Sequence, residues 1–232
     1  MATLEVLSAG AVKPAMGTIG PAFEKASGSQ VKATFGPAPE LRERTRDGTG
    51  AFGVIIGPKS LIAALAREGK VVAASRRALG GVKAAIALHR DAAVPDLSTP
   101  EAVRAAIRKA SAIVYNTASS GQFIDEMIRG LGIMDEVSAR IHRYANAEEA
   151  MAFLGSDQGR AAIGFGQSSA LRGYEKALGV RQVAALPEAI GNVTAYEAAL
   201  AAAAPDAATA RAFLDYLAGP EGLRQLAATG VE

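Results

Sequence analysis

Short apolar runs of strand type alternate with segments of helical spacing along the whole chain, joined by loops of a few residues. Leu4-Glu5-Val6-Leu7 opens as a strand and Ser8-Ala9-Gly10-Ala11 follows as a turn of small residues. A helix comes next, with Val12, Met16, Ile19 and Phe23 on its inner face. Pro14 suits its first turn, Pro21 is expected to kink it, and Ser27-Gly28 stops it. Residues 31–35 alternate as a strand, Gly36-Pro37-Ala38-Pro39 reads as a rigid turn, and residues 40–46 as a helix. Residues 53–56 form a buried strand ended by Gly57-Pro58, residues 60–67 a helix closed by Gly69, and residues 71–74 a further strand. Such alternation predicts an α/β fold: Rossmann-like units with mostly parallel sheets and helices on both faces.

The second half continues the pattern. Gly80-Gly81 reads as a break, residues 82–88 as a strand and residues 91–96 as a loop. The next helix starts either with Ser98 and Glu101 as a capping box or with Thr99 as cap and Pro100 in the first turn; Val103 and Ile107 face inward. Residues 139–144 predict a strand, Asn146-Ala147-Glu148-Glu149 opens a helix through Leu154, and residues 161–165 and 180–186 predict strands. Gly166-Gln167-Ser168-Ser169 reads as a polar turn between strand and helix. Residues 192–204 form an alanine-rich strand returning to the first lobe. A helix from Pro205-Asp206 turns Ala210, Phe213, Leu214 and Leu217 inward, and Pro220 starts a last helix anchored by Leu223 and Leu226. With 232 residues, half of them hydrophobic, two lobes can each bury a core. Crossings at Gly80-Gly81 and near Ile190-Gly191-Asn192 divide the chain into residues 1–79 with 195–232, and residues 80–194, with a ligand cleft expected between them.

In parallel α/β sheets, ligands gather at the carboxyl ends of the strands. The richest such junction is Tyr115-Asn116-Thr117-Ala118-Ser119-Ser120-Gly121-Gln122, between an apolar strand and a helix whose Ile124, Ile128 and Leu131 share a face. The first turn of a helix leaves backbone N–H groups unpaired at the positive end of its dipole, a seat for an oxyanion or carboxylate. Ser119 or Ser120 as a simple helix cap is the plain alternative, and every other polar turn carries the same alternative.

Composition narrows the function. A net charge of +2, with dispersed Lys and Arg, predicts no nucleic-acid partner. With no cysteine there is no disulfide or thiolate site, and no His-x-x-x-His or clustered carboxylate suggests a metal. Gly164-x-Gly166 lacks the third glycine of a dinucleotide loop, so no cofactor is expected. No apolar run is long enough to span a bilayer. The chain enters its first strand without a leader, which predicts a periplasmic protein if a signal peptide has been removed, and a cytoplasmic one otherwise. Arg76-Arg77, before the first crossing, reads either as a cleft-mouth pair that attracts an anion or as solvated surface.

The strand, small-residue turn and helix at the start, Thr34-Phe35-Gly36 before a helix, and Asn146-Ala147-Glu148-Glu149-Ala150 before the strand ending Ile163-Gly164-Phe165 form one layout. With the closing run from Ala212 to Gly222, including Tyr216-Leu217-Ala218-Gly219-Pro220, this layout resembles type II periplasmic solute-binding proteins. The resemblance covers residues 4–231 and is nearest the molybdate-binding group of ABC-transporter components. It implies a hinged binding protein, monomeric, that takes a small anion and docks on a transporter's membrane component. Molybdate binders place hydroxyl donors where this chain has Ala11 and Ala38, and an acidic residue where it has Gly53, so an organic carboxylate is expected instead. The resemblance places Ser8, Gly10, Ala11, Gly36 to Ala38 and Arg42 on one side of the ligand, and Asn116, Ser119, Ser120, Gly121, Gln167 and Ser168 on the other. Ser8, close to Ala11 in sequence, points elsewhere in that register.

The wider family includes aconitate isomerase-like proteins, which gives the alternative of an enzyme moving a proton on an unsaturated polycarboxylate. His89, His142, Glu40 and Lys59 are its acid–base candidates and Tyr115 its candidate oxyanion donor; none forms a triad, and a structural or solvated role is the plain alternative for each. A regulator's effector domain is disfavoured because no helix-turn-helix precedes the first strand.

Overall fold

The structure, a computed structural model, describes residues 2–48 and 51–232, apart from the side chain of Ser119. The chain divides into two compact units, Met1–Val82 with Thr194–Glu232, and Lys83–Val193.

In the first unit, β1 (Thr3–Ala9) leads through a 3-10 turn, Gly10–Val12, into α1 (Lys13–Ser27). Pro21 lies inside this helix, and Gly28 ends it in the left-handed conformation that glycine adopts freely. β2 (Gln30–Gly36), α2 (Ala38–Asp47), β3 (Val54–Pro58) and α3 (Lys59–Arg67) follow. β1 pairs in parallel with both β2 and β3, and β9 (Val193–Leu200) runs antiparallel to β3. α9 (Ala207–Leu217) and α10 (Pro220–Ala228) complete the unit. The core joins Val6, Leu7, Ile19, Ile55, Leu65, Ala199, Phe213 and Leu217. Phe23 meets Phe213 edge-on at 5.1 Å and Tyr216 at 5.7 Å, packing α1 on α9.

β4 (Arg77–His89) begins in the first unit and ends in the second. The second unit holds α4 (Pro100–Lys109), β5 (Ile113–Asn116), α5 (Ser119–Gly130), α6 (Met134–Val137), β6 (Ile141–Tyr144), α7 (Ala147–Leu154), β7 (Ile163–Gln167), α8 (Ser168–Leu178) and β8 (Val180–Ala185). β5 pairs in parallel with β6 and β7, and β4 runs antiparallel to β7 and β8. One core cluster centres on Ile86, Ile107, Tyr115, Ile128 and Phe165, another on Val114, Met151, Leu154 and Leu171.

Several local expectations change. Residues 71–74 make no strand: Val71 forms one isolated bridge to Ala201, and Ala73–Ser75 is a 3-10 turn. The Ser75 hydroxyl closes that turn on the Val72 carbonyl at 2.6 Å. Gly80-Gly81 is no break, because β4 runs through it. The glycines serve the chain end instead: Gly81 pairs by backbone with Glu232, and a Cβ on Gly80 (φ +127°) would lie 2.9 Å from the Glu232 carbonyl carbon. The turns expected at 36–39 and 166–169 are shorter, since α2 already starts at Ala38 and Ser168 follows β7 directly into α8. Thr99, not Ser98, caps α4 by accepting from Ala102 N–H at 3.1 Å. Leu223 is 38% exposed and anchors nothing; Gly222 and Leu226 form the inner face of α10.

Phe213→Ala should cost about 3–5 kcal/mol, because it removes a fully buried ring and opens a cavity in the core. Thr99→Ala should cost about 1 kcal/mol, the value of one cap. Urea unfolding curves compare the two directly.

Candidate functional site

In the first unit, parallel pairing brings Ala9 opposite Gly36 and Ser8 opposite Ile56, so the carboxyl ends of β1, β2 and β3 share one sheet edge. Each runs within a few residues into a helix, and the starts of α1, α2 and α3 have no side-chain cap. In the second unit, β5, β6 and β7 likewise end together, at Asn116, Tyr144 and Gln167. α5 and α8 start there uncapped, whereas Asn146 caps α7. Of the helices that start away from these edges, α4 and α9 are capped by Thr99 and Asp206, while α6 and α10 have no side-chain cap. First-turn N–H groups without a cap carry partial positive charge and look for an acceptor.

In the first unit, Gly10 is exposed and Ala11 is buried at the foot of the 3-10 turn. Ser8 is wholly buried and its hydroxyl donates to the Ala9 carbonyl at 3.2 Å, so it offers no open donor at the edge. A Cβ on Gly36 would lie 2.8 Å from the Glu40 carboxylate, the end of a flexible side chain that would have to shift; Ala38 is half-buried. Gly53 is closed in by Leu4 and Ala210, at 2.5 and 3.0 Å from a Cβ placed there, so the unit leaves no room for an acidic residue at this position. Arg42 points away from the expected role. Its guanidinium is exposed and pairs at 2.6 Å with Glu68, which also takes Arg46 at 2.8 Å. Hydrogen bonds from Arg42 and then Arg46 hold Glu68 below the usual carboxylate range.

In the second unit, Asn116 is buried and its Oδ1 accepts from Ala118 N–H at 2.9 Å and Ser120 Oγ at 3.2 Å. That orientation leaves its Nδ2 as a donor. The N-cap of α5 is Ala118, so neither Ser119 nor Ser120 is the helix cap. A Cβ on Gly121 would lie 1.6 Å from the Asn116 carbonyl oxygen, so only glycine lets the first turn of α5 lie flat on the strand end. Gln167 is half-buried and Ser168 is buried at the start of α8. Ser169 was not singled out by sequence, yet it is 1% exposed and its Oγ has no hydrogen-bond partner among the described residues. A second serine in a first turn is the signal that could have found it.

Most of the acid–base candidates are otherwise engaged. The Tyr115 hydroxyl donates at 2.7 Å to Asp125, which Arg143 holds at 2.5 Å while its guanidinium sits 5.5 Å over the Tyr115 ring. Burial first, then the Asp125 carboxylate, pushes the Tyr115 hydroxyl well up, so it serves as a tie between β5, α5 and β6. His89 accepts from the Asp91 N–H through Nδ1 at 3.2 Å, and exposed His142 stacks on Phe153 at 5.3 Å. Glu40 pairs with Arg44 at 2.7 Å, and Lys59 is exposed. Among the described residues no group of three His, Cys, Asp or Glu is placed to hold a metal, and no helix is long and apolar enough to cross a membrane.

The family model for bacterial extracellular solute-binding proteins matches residues 4–232. The chain belongs to this family. An aconitate isomerase from Pseudomonas sp. is 27% identical over 99% of this chain and 87% of its own length. Among solved structures, the periplasmic molybdate-binding protein of Azotobacter vinelandii superposes with a TM-score of 0.81, at 18% identity over 99% of this chain and 98% of that one. The sulfate-binding protein SubI of Mycobacterium tuberculosis H37Rv gives 0.77, at 14% identity over 99% and 86%. The fold is therefore that of periplasmic binding proteins.

Gly121→Ala should destabilise the second unit by about 1–3 kcal/mol or more, because a methyl cannot enter against the Asn116 carbonyl. Burial opposes ionisation of Asp125, but hydrogen bonds from Arg143 and Tyr115 outweigh it and hold its pKa low. Its stabilising effect is thus complete above the unfolded aspartate value, about 3.9, and lost as pH falls through the lower folded value. Asp125→Asn should flatten acid unfolding in that window when melting temperature is followed against pH.

Proposed function

We propose that this protein captures a small anionic solute, an organic carboxylate rather than molybdate, for ABC-type uptake on the periplasmic side of the inner membrane. The observation that carries the reading is the set of uncapped helix starts at strand carboxyl ends: α1, α2 and α3 in one unit, α5 and α8 in the other. Backbone donors at Gly10, Ala11, Gly36 and Ala38, and donors at Asn116, Ser119, Ser120, Gln167 and Ser168, are the proposed ligand contacts, with Gly121, whose N–H donates to the Ala118 carbonyl, leaving room beside them. Ala11 and Ala38 offer methyl groups where a tetrahedral oxyanion would want hydroxyls. Hydrogen bonds to a charged group contribute about 1.5–3 kcal/mol each, so a handful of them, less the cost of association, reach micromolar affinity at about −8 kcal/mol.

The aconitate isomerase relative favours a second reading, proton transfer on a small unsaturated polycarboxylate. Glu40, Tyr115, His89 and His142 are held in structural contacts and Lys59 is solvent-exposed, which keeps this reading second.

Thermal melting with di- and tricarboxylates, beside molybdate and sulfate, tests the proposal. A carboxylate at a hundredfold excess over its Kd should add about 2.7 kcal/mol, roughly 5–10 °C for a chain of this size. Stabilisation by molybdate alone would contradict it. Proton NMR of the stabilising ligand in D2O separates carrier from isomerase: an unaltered spectrum marks a carrier, and deuterium uptake an enzyme.

A further inference from the structure

Arg42 is paired to Glu68 and does not serve the first unit's helix starts as the sequence predicts. A different arginine is held at that sheet edge. Glu197, in β9, lies opposite Gly57, next to the carboxyl end of β3 at Pro58. It is 8% exposed, and a carboxylate so buried needs a partner. Arg76 supplies it: Nε and Nη2 both donate to Glu197 Oε2, at 2.7 and 2.6 Å.

The segment bearing Arg76 is fixed in place. Val72 N–H donates to the Leu200 carbonyl at 2.9 Å, and Leu200 N–H donates to Ser75 Oγ at 2.9 Å, which pins the turn Ala73–Ser75 along β9. Arg76 follows that turn directly and keeps 31% of its side chain exposed. Guanidinium has five N–H donors in a planar fork. Glu197 occupies the Nε side, and Nη1 has no hydrogen bond among the described residues. The free Nη1/Nη2 side has the geometry that recognises a carboxylate through two parallel hydrogen bonds.

The geometry points to Arg76, oriented by Glu197, as the residue that binds a carboxylate group of the solute and selects organic carboxylates at the first unit's sheet edge. This rests on the anion-binding reading above. Glu197 acts as a positioning residue, holding the fork so that little side-chain entropy is lost on binding.

Calorimetric titration with trans-aconitate and with molybdate tests the assignment on wild type, Arg76→Gln, Arg76→Lys and the double variant Arg76→Gln/Glu197→Gln. The double variant leaves no unpaired buried charge, so it keeps the test valid if Arg76→Gln alone does not fold. Loss of charge-assisted bonds should weaken trans-aconitate binding about 10- to 100-fold in both Gln variants. Arg76→Lys should recover part of that loss, with the melting temperature of the ligand-free double variant near that of wild type. Unchanged affinity in the folded double variant overturns the role of Arg76 while leaving the carboxylate reading intact. Wild type that binds neither probe, or molybdate alone, overturns both.

Discussion

Backbone N–H groups at the first turn of a helix have no partner inside the helix, and where strand and helix meet they must find one elsewhere. In this protein that constraint recurs at each carboxyl sheet edge. At those edges α7 answers it with Asn146, and away from them α4 and α9 answer it with Thr99 and Asp206. α1, α2, α3, α5 and α8 have Val12, Pro37, Pro58, Ala118 and Gln167 at the N-cap position, and none of these caps its helix. A chain that caps some helices and leaves these bare has donors left over where its parallel strands end.

Glycines and alanines keep those edges open to the backbone. At Gly121 any side chain would strike the Asn116 carbonyl, and at Gly36 it would displace the Glu40 carboxylate. Small residues thus bring main-chain groups forward while larger side chains, Phe23, Phe213, Tyr115 and Phe165, fill the cores behind them. The tie from Tyr115 through Asp125 to Arg143 adds rigidity, since it joins β5, α5 and β6 beside the Asn116 turn. Pre-set donors of this kind lower the cost of ordering a site around its ligand.

Much of this was legible in the sequence because apolar periodicity is local. The faces of α1, α4 and α9 follow from spacing alone, and so does the strand–turn–helix at Asn116. Side-chain pairing across distant segments was not legible. Nothing near Arg42 in the chain announces Glu68, and Glu197 is 121 positions from Arg76. Residues 71–74 have strand composition, but Ser75 folds them into a turn by bonding to Val72 and Leu200. Gly80-Gly81 looked like a break because the backbone partner that keeps it extended, Glu232, is far away in the sequence.

Backbone amides are what this account holds to seat the solute, so amide resonances are the place to look. In a 1H–15N titration of the protein with trans-aconitate, the largest shifts should fall on Ala11, Ser120, Gly121, Ser168 and Ser169, at the strand ends and first turns of both units. Shifts confined elsewhere, such as the groove of about 410 Å³ between residues 94–98 and residues 183–187, would contradict it.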